Sequence, residues 1–540
     1  MSMKKFDKTT TWVPLIIAVT FIGGLWVGKD LLNNANTRES EKKLSTILGL
    51  IDSEYVEEVD IDSIVEETIP QLLEKLDPHS TYIPESDLRA VNDELDGSFS
   101  GIGISFMLNN DSITVIEVLS GGPSEKVGLL AGDRIVTIND SVVASQGISN
   151  EDVMTMLRGE KGTKVKLGIK RSSAKKLLTY EIIRGDIPVT SIDASYIIAP
   201  GIGYIKVNKF GRTTYSEFLT SLTRLRNEGA AKYIIDLRGN GGGFLDMAIL
   251  MTNEFLPARS PIVFTKSRTG REDTHAFSDG TGSFQDNEVA VLIDEYSASA
   301  SEILAGALQD NDRGLILGRR SFGKGLVQRQ VTLPDSSALR LTIAKYYTPS
   351  GRCIQKQYTP GKSETYGNEI VERFNHGEAF NADSIKLNTE LEYSTLHGRK
   401  VYGGGGIMPD IFIPNDTSGI TGYYLNVANA GLLHKFSFEY CDQNRDRLSK
   451  CKDTAELLAM LPSDEIILDS FVRYAGKNGI PARWYYINLS QGLIINHLKA
   501  FIARDILGSQ SFYHIYNRRD KSVLSAIENL QSGKAAFPIE

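Results

Sequence analysis

The chain has 540 residues, a length that excludes a single ordinary domain and suggests three or four. Its 41% hydrophobic and 23% charged content exclude wholesale disorder, and a net charge of −8 gives no hint of a nucleic-acid partner, which would favour a basic face. Three cysteines, Cys353, Cys441 and Cys451, form no CxxC pair, which argues against a structural zinc site.

Between Lys8 and Lys29 lie twenty uncharged residues, TTTWVPLIIAVTFIGGLWVG. As a helix they would span about 30 Å, one hydrocarbon core. Lys4, Lys5 and Lys8 precede them, so the positive-inside rule leaves the N-terminus in the cytoplasm and carries the rest across. The spacing predicts an anchor or signal segment over residues 1–35. An uncleaved single-pass anchor in the inner (cytoplasmic) membrane and a cleaved signal peptide both export the chain, the first to face the periplasm, the second to be released into it.

Residues 36–95 read as helical, with Leu44, Ile47, Leu48 and Ile51 on one face, interrupted at LDPHSTYIP (Leu76–Pro84) by two prolines. His79 in that segment reads as a turn residue without chemistry. Over residues 96–185 short strands with glycine turns (GIGISFML, SITVIEVL, DRIVTIND, KVKLGIKR) surround one helix, NEDVMTML, with a capping-box-like start at Ser149 and Asp152. Residues 190–415 alternate strand and helix. The strands KYIIDL, VAVLID and GLILG are rich in Ile, Val and Leu, the mark of a mostly parallel, doubly covered sheet. LVQRQVTL and ALRLTIAKYY form a hairpin, and residues 356–402 read as a polar, weakly patterned insertion. From 416 to 540 the pattern is again helical. Cys441 and Cys451 either pair in an oxidising compartment or are two reduced thiols.

Conventional catalysts are scarce. There is no HExxH and no GxSxG, and none of the seven histidines lies beside a glycine-framed serine, which disfavours a Ser–His–Asp triad. Three segments stand out. In SASASE (Ser297–Glu302) a serine sits where a strand meets a helix, near free N–H groups and the positive end of the helix dipole. Taken alone, such a serine is an N-cap. GRRSFGKGLVQ (Gly318–Gln328) nearly matches a phosphate-binding loop, yet Gly325 replaces the magnesium-binding hydroxyl and a strand follows instead of a helix. Lys324 there is either a solvated turn residue or, if desolvated, a general base able to activate serine without histidine. In DLRGNGGGF (Asp236–Phe244) three glycines let backbone N–H groups approach a ligand.

Together with GSFSGIGISF, LSGGPSEKVGLLAGDRIVTIND, LRGEKGTKVKLGIKR and TPSGRCIQ…GGIMPD, these segments occur in the order found in the carboxy-terminal processing (tail-specific) serine proteases, which residues 40–415 resemble. The resemblance implies an α/β, ClpP/crotonase-like protease core with an inserted β-rich PDZ domain, following the N-terminal helical segment; the long insertion between GRCIQ and GGIMPD and the C-terminal helical extension depart from the family pattern. It implies Ser299 as nucleophile, Lys324 as base and Gln328 as its support. It also implies an oxyanion hole from the Ala300 N–H and a glycine, Gly242 or Gly243. In the PDZ domain, Gly101, Ile102, Gly103 and Ile104 would hold a terminal carboxylate, with Ile102, Ile104, Val153 and Leu157 either around an apolar last side chain or, as each reads alone, packed in the domain's core. The expected partners are protein or peptide substrates with free, apolar C-termini, with self-association open. Neither cofactor, metal, nucleotide nor nucleic acid is expected. A peptide-binding adaptor with a non-catalytic core is the alternative, opposed by the intact Ser299, Lys324 and Gln328.

Overall fold

The computed structural model describes residues 39–109, 112–119, 121–171 and 174–533, so the expected anchor or signal segment, 1–35, lies outside the described residues. Among the described residues no helix is long and apolar enough to cross a membrane. The chain divides into two compact units, 1–76 and 77–540. In the first, residues 39–54 and Ile61–Glu74 are helical, the latter capped by the Asp60 carboxylate on the Asp62 and Ser63 amides.

The second unit opens at the proline-flanked turn. Asp77 accepts the His79 and Ser80 amides and the Ser80 hydroxyl, and the chain then enters strand β1 (Thr81–Ile83). Within the interruption expected at Leu76–Pro84, Thr81–Ile83 pairs in register with residues 338–340, a partner more than 250 residues away. After β2 (Ser98–Gly101), a five-strand path forms from β3 (Ile104–Asn109), β4 (Ser112–Val118), β5 (Arg134–Ile138), β7 (Lys164–Lys170) and β8 (Leu178–Ile183), in that order. The short β6 (Ser141–Val142) pairs with β5, and β9 (Gly185–Pro188) pairs with β2. Helix α1 (Asn150–Leu157) carries the expected capping box from Ser149 and Asp152. Ile102, Val153 and Leu157, expected beside a bound side chain, belong to this domain's own core, whereas Ile104 is half-buried at its margin.

The largest parallel sheet runs β10 (Ile192–Ala199), β11 (Ile202–Val207), β12 (Lys232–Asp236), β15 (Glu288–Ile293), β16 (Gly314–Gly318), β21 (Ile411–Phe412), all parallel beyond the β10–β11 pair. Its residues alternate between two buried faces, which is why the strands read as continuous apolar runs. Ile205, Tyr233, Ile235, Val291 and Ile316 pack with helices α2 (Thr214–Asn227), α3 (Leu245–Asn253) and α4 (Ala300–Asp310). Tyr204, Ile234, Leu292 and Leu317 form a second cluster with Val523, Ala526 and Leu530. A second sheet joins β1, β18 (Ala338–Tyr347), β13 (Pro261–Ser267) and β14 (Thr274–Phe277), with β17 (Leu326–Thr332) hairpinned onto β18. The insertion is more ordered than its composition suggests: it holds helix α5 (Ser363–Asn375) and the strand pair β19 (Glu392–Ser394) and β20 (Lys400–Tyr402).

Five longer helices between Gly422 and Leu507 build their own core, in which Cys441 and Cys451 are separate, buried free thiols. Helix α6 (Ser509–Tyr516) and helix α7 (Lys521–Gln531) then return to the β10–β21 sheet. The C-terminal extension therefore supplies a layer of the core. Truncating Leu530 to Ala is expected to destabilise the sheet by about 2–5 kcal/mol, read as a lower thermal midpoint; an unchanged midpoint would mean that α7 does not cover this face in solution.

Candidate active site

Strand β15 ends at Ile293, and the chain turns through Asp294–Ala298 before helix α4 begins. The three serines of this turn have distinct surroundings. The Ser297 hydroxyl donates to Leu237 O (2.9 Å), and the Ser301 hydroxyl donates to Asn240 O (2.9 Å); both residues are fully buried. They fasten the turn to the glycine loop after β12. Ser299 is half-buried and holds φ 55°, ψ −113°, a backbone region costly for any residue but glycine. It is the N-cap residue, as the plain reading of a serine here supposes, and it is also strained.

The glycine loop lies directly against it. A Cβ on Gly242 (φ 101°) would stand 2.8 Å from the Ala298 carbonyl and the Ser299 Cβ and 3.0 Å from the Ala300 nitrogen, so no larger residue fits. Gly243 is equally confined, with a Cβ falling 2.2 Å from Phe210 O. The Gly242 N–H donates to Asn240 Oδ1 (2.9 Å), and Asn240 in turn donates to Val207 O and accepts the Ala298 amide on its carbonyl. Asp294, buried, accepts the Gly239 and Ser297 amides at 2.9 and 3.1 Å and so joins the two loops. Deeper in, Arg238 bonds Asp236 and, at 2.8 and 3.0 Å, Asp520, the N-cap of α7.

Lys324 follows β16 in the loop Arg319–Gly325. Its ammonium donates to Gln328 Oε1 (3.0 Å), and Gln328 Nε2 donates to the His79 carbonyl. Burial, with the Arg340 charge second, holds the Lys324 ammonium below the usual lysine range, against the opposing pull of Glu302 and Asp77. Sequence reading joined Lys324 to Gln328 but gave no role to His79. The structure places that residue's carbonyl on Gln328, and burial pushes its imidazole down to about 4.

Glu302 was also missed, although Ser299 and Glu302 have the S-x-x-E spacing of a capping box. Its carboxylate, fully buried, accepts the amides of Ser299 (2.9 Å), Gly323 (2.7 Å) and Lys324 (2.9 Å) and the Ser321 hydroxyl. One carboxylate thus ties the serine turn to the lysine loop. The Tyr346 hydroxyl makes a second tie, lying 2.6 Å from Lys324 O and 3.2 Å from Ser299 O. Glu302→Gln is expected to cut turnover at least about tenfold, because the amide NH2 must face donors that the carboxylate accepted. Burial raises Glu302 from 4.5 to about 7, so the stability its protonated form contributes is present below 4.5 and lost as pH rises through 7. The Gln variant should flatten that part of a stability–pH curve. Full activity with an unchanged curve would show that the carboxylate does not join the two loops.

Chemically, a strained serine at a helix start, close-packed glycine N–H groups and a desolvated lysine amount to the parts of an acyl-transfer site. Among the described residues there is no cluster of His, Cys, Asp or Glu that could hold a metal ion.

Residues 201–366 match the model of peptidase family S41, residues 100–182 that of the PDZ domain, and residues 423–508 a family of unknown function. The carboxy-terminal-processing protease of Bartonella bacilliformis is 34% identical over 351 residues, 62% of this chain and 80% of that protein. The carboxy-terminal processing protease CtpB of Bacillus subtilis is 35% identical over 318 residues, 58% of this chain and 65% of that protein. Among solved structures, the photosystem II D1 C-terminal processing protease is 30% identical, covering 57% of this chain and 83% of its own, with a TM-score of 0.32. The chain belongs to peptidase family S41, as a PDZ-bearing member of the carboxy-terminal processing serine proteases.

Proposed function

We propose that the chain is an endopeptidase that cuts exported proteins near their C-termini, with Ser299 as nucleophile and Lys324 as general base. The observation that carries this reading is the shared carboxylate of Glu302, which binds the backbone of both residues and fixes one loop against the other. Neutral Lys324, held by Gln328, takes the Ser299 proton as the hydroxyl attacks the scissile carbonyl. The Ala300 N–H and a glycine N–H, from Gly242 or Gly243, receive the developing oxyanion. For Gly242 this requires the amide to exchange Asn240 Oδ1 for the substrate oxygen. Lys324, as an ammonium, then returns the proton to the leaving amine, and a water molecule attacks the acyl-enzyme in a second round of the same chemistry.

Selection is assigned to the PDZ domain. Strand β3 stands at one end of its sheet, so its outer edge can accept an added peptide strand, with the terminal carboxylate at Gly101–Ile104. Export is supported by the basic start and the uncharged run before Lys29. Matched peptides ending in a free acid or an amide test the recognition step. Charge-assisted hydrogen bonds are about twice as strong as neutral ones, so the amide should bind roughly ten- to a hundredfold more weakly. Equal cleavage of both would place selection outside the Gly101–Ile104 loop.

A further inference from the structure

We propose that the inserted helix α5 is a strut for the base loop and that Arg373 is a positioning residue for Lys324; this rests on Lys324 being the general base. Arg373 is 7% exposed, and its guanidinium donates to Ser321 O (2.7 Å) and Phe322 O (3.2 Å), the two carbonyls just before Gly323 and Lys324. Its Nε donates to Glu369 Oε1 (2.5 Å), and the other oxygen of Glu369 accepts Lys356 Nζ (3.0 Å). The Lys356 ammonium lies 4.1 Å from the ring centres of both Phe322 and Tyr366, pinning the loop's one aromatic side chain to the helix.

The same helix reaches the far side of Lys324. The Tyr366 hydroxyl is 2.8 Å from His79 Nε2, and the His79 carbonyl holds Gln328, which holds the Lys324 ammonium. The Tyr366 hydroxyl also accepts Gln355 Nε2 (3.1 Å), and Gln355 Oε1 takes the Gly325 amide (2.8 Å). Lys324 therefore sits between two glycines, its own backbone held by Glu302 and Tyr346, with α5 bracing the residues on both sides. A planar fork that binds two carbonyls in fixed directions suits this task, and lysine reproduces it only in part. The insertion is thus assigned to the catalytic apparatus, although composition alone marked it as a polar appendage.

The test uses the full chain with Arg373→Gln, Arg373→Lys, Tyr366→Phe and Lys324→Ala, measuring kcat and KM on a tailed peptide across pH, with thermal midpoints. Lys324 is faced by Arg340 from β18, Glu302 from α4, and Asp77 and His79 from the turn, none of which the first three variants remove. Arg373→Gln is expected to lower kcat roughly tenfold or more with KM within about twofold, since an ångström of misplacement costs about 10²-fold. A loosened loop admits water, so the rise of activity with pH should move to higher pH. Arg373→Lys should recover part of the kcat. Should the Gln variant not fold, Tyr366→Phe is expected to give a smaller loss with the same displacement of the pH profile. Wild-type kcat and pH profile in Arg373→Gln and Tyr366→Phe, with Lys324→Ala inactive, would overturn the strut alone. A loss that only tracks the folded fraction, with an unmoved pH profile, would overturn it too. An active Lys324→Ala would instead overturn the base assignment on which it rests.

Discussion

Ser299→Ala is expected to abolish turnover, by roughly 10⁴–10⁶-fold as for loss of a nucleophile elsewhere, with the protein still folded. The position of Ser299 within the turn is what makes this specific. Ser297 and Ser301 are buried, each donating to a carbonyl of the chain after β12. Their alanine variants remove one of two donors, since the Asn240 amide still reaches Leu237 O and the Ala298 amide still reaches Asn240 O, so each costs about 0.5–1.5 kcal/mol of stability and leaves measurable activity. Assays of the three variants beside their unfolding midpoints separate the roles: Ser301→Ala dead at full stability would shift the nucleophile by two residues.

Replacing Lys324 with arginine should be nearly as damaging as replacing it with alanine. The proposed step needs a neutral amine, and a guanidinium stays protonated at any working pH. Burial is the chief cause of the lowered Lys324 pKa, Arg340 adds to it, and Glu302 and Asp77 oppose it. The sign follows: activity is low where Lys324 is charged and rises with pH through a value below the ordinary lysine range. An arginine variant with substantial turnover would mean that this position supplies only positive charge.

The alternation of Ile, Val and Leu strands with helices made the parallel sheet legible, because both of its faces are buried. The glycine loop and the serine and lysine turns stand out as segments, but by themselves an N-cap serine and a solvated lysine turn were open readings, and only the family resemblance singled out Ser299 and Lys324. What escaped was carried by distant pairing. Nothing within LDPHSTYIP announces that Thr81–Ile83 will join β18, or that the His79 carbonyl will meet Gln328. Helix α5 hides its order behind charge, for Arg373 and Glu369 are buried or half-buried in partnership with each other and with backbone. Helix α7 reads as an ordinary amphipathic helix; that its apolar face covers the protease sheet is a fact of tertiary structure alone.

In the proposed mechanism Ser299 becomes acylated with Lys324 as its base. Acid-quenched turnover of an activated peptide ester, followed by peptide mapping in a mass spectrometer, reads that step directly. The acyl mass is expected on Ser299, more of it as pH rises, and none in Lys324→Ala. Acyl mass on Ser297 or Ser301, or undiminished labelling of Ser299 in Lys324→Ala, would contradict it.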